Sequence, residues 1–146
     1  MRAAVSAGWA DGDESSGGNG GDGGGGDMVV TMAGPEVEGE ADALLESFAA
    51  FEEETGIAVT YQEDITANDE FFAKIRPQLV SGEGVDRDII VMTDWMAARL
   101  IRLGYVNELD TDAIPNAKNL IPSLKSPSFD PERQYSMPWQ SGFTSI

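Results

Sequence analysis

The apolar positions change period several times along the chain, and each change marks an element. Met28 to Met32 is a short apolar run broken by Gly34-Pro35, which predicts a strand and then a loop. From Ala41 to Thr55 the period becomes helical: Leu44, Phe48 and Phe51 recur at i, i+4 and i+7, with Leu45 beside them. Glu52, Glu53 and Glu54 on the last turn read as a solvated face. Gly56 followed by Ile57 is the signature of a Schellman stop. Ile57, Val59 and Tyr61 then alternate with Ala58 and Thr60, so a strand follows at once.

The same unit recurs. Thr66 or Asn68 is placed to cap a helix carrying Phe71, Phe72, Ile75 and Leu79, which Pro77 is expected to distort or end early. After the Ser81 to Gly84 loop, Asp88 to Met92 is a continuous apolar run of the kind buried on both faces of a parallel sheet. Thr93-Asp94 is expected to cap a third helix, Trp95 to Leu103, stopped by Gly104. Strand and helix alternating three times predict an α/β layer with right-handed crossovers. Beyond Val106 the chain is irregular, with prolines at 115, 122, 127, 131 and 138 and one extended segment, Tyr135 to Trp139. Gly142 to Ile146 reads as a strand beginning, so the sequence reads as a fragment cut at both ends.

Composition divides the chain in two. Residues 1–27 hold 10 of the 17 glycines and a single aromatic, Trp9, and are expected to form a disordered Gly/Asp-rich tether. The remaining 119 residues, 28–146, suffice for one modest core. Two pattern matches in the glycine stretch fail on context. Gly18, Gly20 and Gly23 spell G-x-G-x-x-G without a preceding strand. The calcium-repeat pattern from Gly17 to Asp22 occurs once only. The formal net charge is −17, from 26 acids and 9 bases. Residues 1–27 carry 5 acids and one base, which leaves 21 acids and 8 bases downstream. Such a surface repels nucleic acid and anionic membrane; it serves solubility and tolerates a cationic ligand.

The chain has no cysteine and no histidine. That removes disulfides, thiol nucleophiles, zinc fingers and imidazole bases. No apolar run approaches the ~18 residues of a membrane span, and the start lacks the apolar core of a secretory signal. These features leave a cytoplasmic chain or one whose natural start lies upstream. An EF-hand begun at Asp110 would need glycine at Pro115 and glutamate at Ile121. There is no Walker motif, no G-x-S-x-G and no candidate pair of pocket carboxylates. The sequence therefore nominates no catalytic residue, no metal ligand and no cofactor.

Ligands of open α/β sheets bind beyond the C-terminal ends of the strands. That rule nominates Ala33 to Glu36, then Thr93, Asp94 and Trp95, and finally Trp139, Gln140, Ser141 and Gly142. An aromatic face beside a carboxylate suits an organic cation. Asp94 can equally serve as a helix cap, and the two tryptophans can simply cover the sheet edge.

Phe51-Glu52-Glu53-Glu54-Thr55-Gly56-Ile57-Ala58-Val59 resembles the F-x-x-E-T-G-I-x-V stretch of extracellular solute-binding proteins of ABC importers. The segment Asp88 to Gly104 narrows the resemblance, as do Leu109-Asp110, Ile114-Pro115-Asn116 and Asn119-Leu120. Phe129-Asp130-Pro131, Tyr135-Ser136 and Pro138 to Gly142 narrow it further. Together they are similar to the spermidine/putrescine-binding branch in its actinobacterial form. The resemblance implies a periplasmic-binding-protein-like α/β fold of two hinged lobes. This chain would supply an incomplete first lobe, residues 28–146, with a mixed, mainly parallel sheet and flanking helices.

It also implies a non-enzymatic receptor for a small cationic solute, a polyamine, that is monomeric when full length and works with a membrane permease. Localisation would be periplasmic or extracellular, with a membrane tether in the family; the lipidation cysteine of such relatives is absent from this sequence. Carried over by position, Thr93, Asp94 and Trp95 would contact ligand, and Trp139, Gln140 and Ser141 would line the hinge-side wall. Polyamine binders usually carry Asn-Trp after the first strand, where this chain has Thr31 to Pro35, closer to the sugar-binding and general branches. Sugar, iron or another small solute thus stands as the alternative ligand, and an acidic hydrolase using paired carboxylates as the alternative class.

Overall fold

The structure is a computed structural model and describes residues 2–6, 28–36 and 41–140. Its strands are β1 (Arg2–Ser6), β2 (Val29–Ala33), β3 (Ala58–Gln62), β4 (Ile89–Thr93) and β5 (Ser136–Gln140). The helices are α1 (Ala41–Thr55), α2 (Asn68–Ser81), α3 (Asp94–Leu103) and a short α4 (Pro122–Lys125). Two 3₁₀ turns, Thr111–Ala113 and Pro115–Asn119, precede α4. The strands form one sheet in the order β3-β2-β4-β1-β5.

The helix–strand alternation read from the hydrophobic pattern is present from β2 to α3. β2 pairs in parallel with β3, Val29 opposite Ala58 through Ala33 opposite Gln62, and with β4 at Met32–Ile89 and Ala33–Ile90. The short β2–β4 ladder is extended by Asp88, whose N–H donates to the Thr31 carbonyl while its carboxylate accepts from the Thr31 N–H at 2.8 Å.

The other half of the sheet corrects the sequence reading. Arg2–Ser6 is a strand, not the start of a tether, and it pairs antiparallel with β4 on one edge and β5 on the other. Arg-Ala-Ala-Val-Ser contains no glycine, unlike residues 12–26, so its backbone is free to form a ladder. The sheet is therefore mixed, parallel only across β3-β2-β4. Residues 7–27, Ser141 and the expected strand start at Gly142 to Ile146 lie outside the described residues.

β4 runs through the centre, and its apolar run is buried as its sequence demands. Ile90 and Met92 join Phe71, Phe72 and Ile75 of α2 and Met96, Ala97 and Leu100 of α3 in the core. Val91, 1 % exposed, lies on the opposite face by strand alternation. α2 continues through Pro77 to Ser81 instead of stopping early. Pro77 and Ala73, the residue whose carbonyl loses its helical donor, are both exposed, so water can satisfy that carbonyl. α3 ends as expected: Gly104 takes φ 69°, and the N–H groups of Gly104 and Tyr105 close on Ile101 and Leu100.

β3 is the outer strand of the sheet, and an exposed strand edge invites pairing with other chains. Its Val59 N–H is covered by the Glu52 carboxylate of α1 at 2.6 Å. Glu52 is thus not part of a solvated run with Glu53 and Glu54; it is half-buried against the strand that follows its helix. At the far end of β3, Asp64 pairs with Arg87 and joins the loop before α2 to the loop before β4. The Arg87 hydrogen bond lowers the Asp64 carboxyl below its ordinary value; burial opposes this, and the charges of Arg87 and Lys74 add to it.

Two outcomes follow in the protein that contains this chain. Glu52→Ala is expected to cost about 1–2 kcal/mol in urea unfolding by stripping a charge-assisted bond from Val59, whereas Glu53→Ala stays within about 0.5 kcal/mol. Equal costs for the two variants would show that the edge bond has no special weight. Because the Asp64 pKa is depressed on folding, its contribution is complete above the unfolded value of about 4 and is lost as the pH falls through the lower folded value. The gap in unfolding midpoint between wild type and Asp64→Asn should therefore be constant near neutrality and close below about pH 4. A gap that persists in acid would rule out the ion pair as its origin.

Candidate functional site

The C-terminal ends of β2, β3, β4 and β5 all point the same way. β2, β3 and β4 are parallel, and β5 is antiparallel to the strand that is itself antiparallel to β4. The residues that follow these ends converge. The Gly34 N–H donates to the Gln62 carbonyl at 2.9 Å, and the Ile65 N–H donates to the Gly34 carbonyl at 3.1 Å. The Asn68 side-chain oxygen accepts from the Thr93 N–H at 3.2 Å. Asn68 thus ties α2 to the end of β4 instead of capping its own helix, whose N-cap position, Ala67, has no side-chain bond. A small hollow of about 60 Å³ lies between these ends, lined by Pro35, Ile65, Thr66 and Thr93 among others. It has room for water and none for an organic solute.

An aromatic group crosses the same edge. The Tyr61 hydroxyl donates to the Pro35 carbonyl at 2.7 Å, and a Cβ built at Gly34 would overlap that hydroxyl and come within 2.6 Å of the ring carbons. Tyr61 therefore lies on Gly34, in space that only glycine leaves open. Its ring meets Phe48 of α1 at 5.9 Å and the edge of Trp139 of β5 at 6.1 Å between centroids. Sequence reading counted Tyr61 as an ordinary strand residue. The available signal was its place at the C-terminal end of a strand beside Gly34-Pro35.

Thr93 and Asp94 do not form the expected cap. Thr93 occupies the N-cap position of α3 without a side-chain bond, and its hydroxyl is buried without a partner. Asp94 is the first residue of the helix, where a carboxylate favours the dipole, and its Oδ1 is likewise buried without a hydrogen bond. Trp95 is 51 % exposed. Asp94 and Trp95 line a cleft of about 680 Å³ with Arg99 and Arg102 of α3 and Phe129 of the following segment.

A buried polar knot stands beside Asp94. The Asp130 carboxylate, on a residue 3 % exposed, accepts from the N–H groups of Gln134, Tyr135 and Ser136 and from the Ser136 hydroxyl, at 2.8–3.1 Å. Arg133, 5 % exposed and at φ 54°, donates to the Leu124 carbonyl and to the Ser136 hydroxyl. Burial lowers the Arg133 pKa, while the negative charges of Asp130 and Asp94 raise it. Arg133 is a site neighbour that sequence reading missed, because nothing in the local pattern marks a buried arginine.

The structure thus brings together Thr93, Asp94 and Trp95 at one end of α3, and joins Trp139 to Tyr61 rather than to Trp95. Gln140 is opposite Arg2 in the β1–β5 ladder, and Ser141 lies outside the described residues. Among the described residues no three acidic side chains gather in a way that could hold a metal ion, and no helix is long and apolar enough to cross a membrane.

Comparison with known proteins gives a consistent picture. The family model for bacterial extracellular solute-binding proteins matches residues 34–146. Spermidine/putrescine-binding periplasmic protein 1 of Haemophilus influenzae is 30% identical over 105 residues, covering 72% of this chain and 27% of that protein. The spermidine/putrescine-binding periplasmic proteins of Escherichia coli and Salmonella typhimurium are each 29% identical over 103 residues, 70% of this chain and 27% of theirs. The chain spans about a quarter of the length of these curated relatives. No solved structure gives a significant match to it.

The seat of Tyr61 is open to a direct check. Gly34→Ala should expel the ring from its place and separate it from Trp139, at a cost of about 1–3 kcal/mol. Near-UV circular dichroism reads the loss of the Tyr61–Trp139 contact, and urea unfolding reads the cost. An unchanged aromatic spectrum would show that the edge accommodates a side chain at 34.

Proposed function

Since this chain belongs to the bacterial extracellular solute-binding protein family, we propose that the protein containing it captures a small solute outside the membrane and delivers it to the permease of an ABC importer. The mixed α/β sheet with flanking helices is that of a partial periplasmic-binding-protein-like domain. In this reading residues 28–146 contribute one wall of the solute cleft and a second lobe contributes the other. Closure of the two lobes about a hinge buries the solute. No residue is assigned a catalytic role.

We assign the solute to the polyamine class. The reading rests on one observation above all. Thr93, Asp94 and Trp95 stand at the C-terminal end of the doubly buried central strand, with a second aromatic pair, Tyr61–Trp139, at the same edge. Relatives whose names specify spermidine and putrescine support it. Trp95 offers an exposed face to methylenes or an ammonium group, and Asp94 offers negative charge from the same turn. Trp139 belongs to the hinge-side part of the same wall, with Gln140 and Ser141 following it in sequence.

A neutral solute is the second reading, and the cleft that Asp94 and Trp95 line favours it, because Arg99 and Arg102 line it too and their positive charges oppose a cation there. A sugar would use the aromatic faces without needing a negative charge.

Calorimetric titration of the full-length protein with spermidine, putrescine and a panel of monosaccharides separates the two. Trp95→Ala should weaken polyamine binding by about 1–2 kcal/mol, roughly five- to thirtyfold. Asp94→Asn keeps the shape and removes the charge, so it should weaken a cation and leave a sugar unaffected. Unchanged affinity in both variants would remove this turn from the site. Heat with sugars and none with polyamines would transfer the assignment to the neutral class.

A further inference from the structure

One third of the basic side chains of this acidic protein lie around two clefts on α2 and α3 that share Arg99. α2 and α3 lie side by side, and the Arg99 guanidinium of α3 stacks over the Phe72 ring of α2, 4.5 Å from its centroid. A groove of about 550 Å³ opens on one side of that stack, walled by Phe72, Pro77 and Val80 and bordered by Arg76 and Arg99. Val80 is 63 % exposed. The neighbouring cleft of about 680 Å³ shares Arg99 and adds Arg102 one turn further along α3. Arg76, Arg99 and Arg102 are three of only nine basic residues in a chain of net charge −17, and no carboxylate among the described residues pairs with them. By contrast, Arg87 is paired with Asp64 and Arg133 is bonded inside the protein.

We infer that the α2–α3 face docks an acidic segment of a partner protein, with carboxylates on Arg76, Arg99 and Arg102 and apolar side chains in the groove between them. The contact with Phe72 holds the Arg99 guanidinium at the groove, where its N–H groups can serve a carboxylate. The walls are apolar, so the occupant carries apolar side chains as well as charge. Arg99 and Arg102 are one turn apart, and α3 from Asp94 to Arg102 is about 13 Å long, which an extended peptide of about four to six residues spans. Asp69 lines the first groove and Asp94 the second, so each holds one negative charge beside its arginines. A long polyanion is the less suitable occupant. Its charge reaches past the arginines to the rest of an acidic surface, whereas a short segment is held within the ~10 Å over which the local arginines dominate at ordinary ionic strength. The inference is independent of which solute the protein carries.

The test uses the full-length protein and a fluorescein-labelled hexapeptide of alternating glutamate and leucine, read by fluorescence anisotropy at about 20 and 150 mM salt. Saturable binding that weakens with salt is expected, and the same peptide with lysine in place of glutamate should not bind. Arg76→Ser and Arg99→Ser should each lower affinity about five- to tenfold. Arg99→Lys, which keeps the charge and the fold, should lose less. Solute binding by Arg76→Ser should be unchanged, because Arg76 lies outside the cleft lined by Asp94 and Trp95. Absence of peptide binding at both salt concentrations overturns the inference, as does wild-type affinity in both Arg76→Ser and Arg99→Ser. Tighter binding to phosphatidylglycerol vesicles or to a short oligonucleotide than to the peptide overturns it in favour of a polyanion surface.

Discussion

The central strand β4 must be satisfied on both edges and both faces at once, and the rest of the described structure is arranged by that demand. Ile89 to Met92 offers a continuous apolar run with no polar face to leave in water. One edge takes β2 in parallel and the other takes β1 antiparallel. One face is filled by α2 and α3, whose Phe71, Ile75, Met96 and Leu100 close over Ile90 and Met92. Parallel strands require crossovers, and the one from β3 to β4 places α2 where it packs. The chain leaves β4 directly into α3, so the turn at Thr93, Asp94 and Trp95 is set by the most buried strand of the sheet. A binding turn gains precision from such a support.

The second constraint is electrostatic and lies in the irregular segment after α3. A buried carboxylate and a buried guanidinium are costly unless their hydrogen-bonding capacity is used. Asp130 accepts four bonds within its own loop, and Arg133 reaches the Leu124 carbonyl and Ser136. These bonds replace the regular ladder that a proline-rich stretch cannot form. They deliver Ser136, the first residue of β5, to the sheet, and with it Trp139 to the edge where Tyr61 waits. Burial lowers the Arg133 pKa, and the negative charges of Asp130 and Asp94 oppose that lowering.

Much of this was legible in the sequence where period and stop signals agree. Ala41–Thr55 carries three apolar residues at helical spacing and a glycine stop, and the helix has those bounds. The buried run before Thr93 gave β4, and the rule of strand ends pointed to Thr93, Asp94 and Trp95 as neighbours. What was not legible depended on contacts distant in sequence. Nothing local shows that Arg2–Ser6 fills the free edge of β4 across more than 80 residues, or that Glu52 turns from its run to cover Val59. Pro77 was read by its intrinsic cost, and its exposed position on α2 removes most of that cost. Asn68 was read as a cap because of its type; the Thr93 N–H, 25 residues on, is the donor it takes.

The departure at the end of β2 has a physical explanation in the fold itself. A large side chain after β2 and a tyrosine at the end of β3 compete for the same volume, because adjacent parallel strands end about 4.8 Å apart. Here Gly34 cedes that volume and Tyr61 takes it, held by the Pro35 carbonyl on one side and by Phe48 and Trp139 on the others. The aromatic surface at this edge is therefore carried by β3 and β5 and braced by α1. A ring fixed by a hydroxyl bond and two ring contacts loses little freedom when a ligand arrives, so a solute stacking on it is spared most of the ordering cost. The absence of an aromatic residue after β2 thus leaves the edge with its aromatic wall, supplied from the neighbouring strand and directed by a glycine.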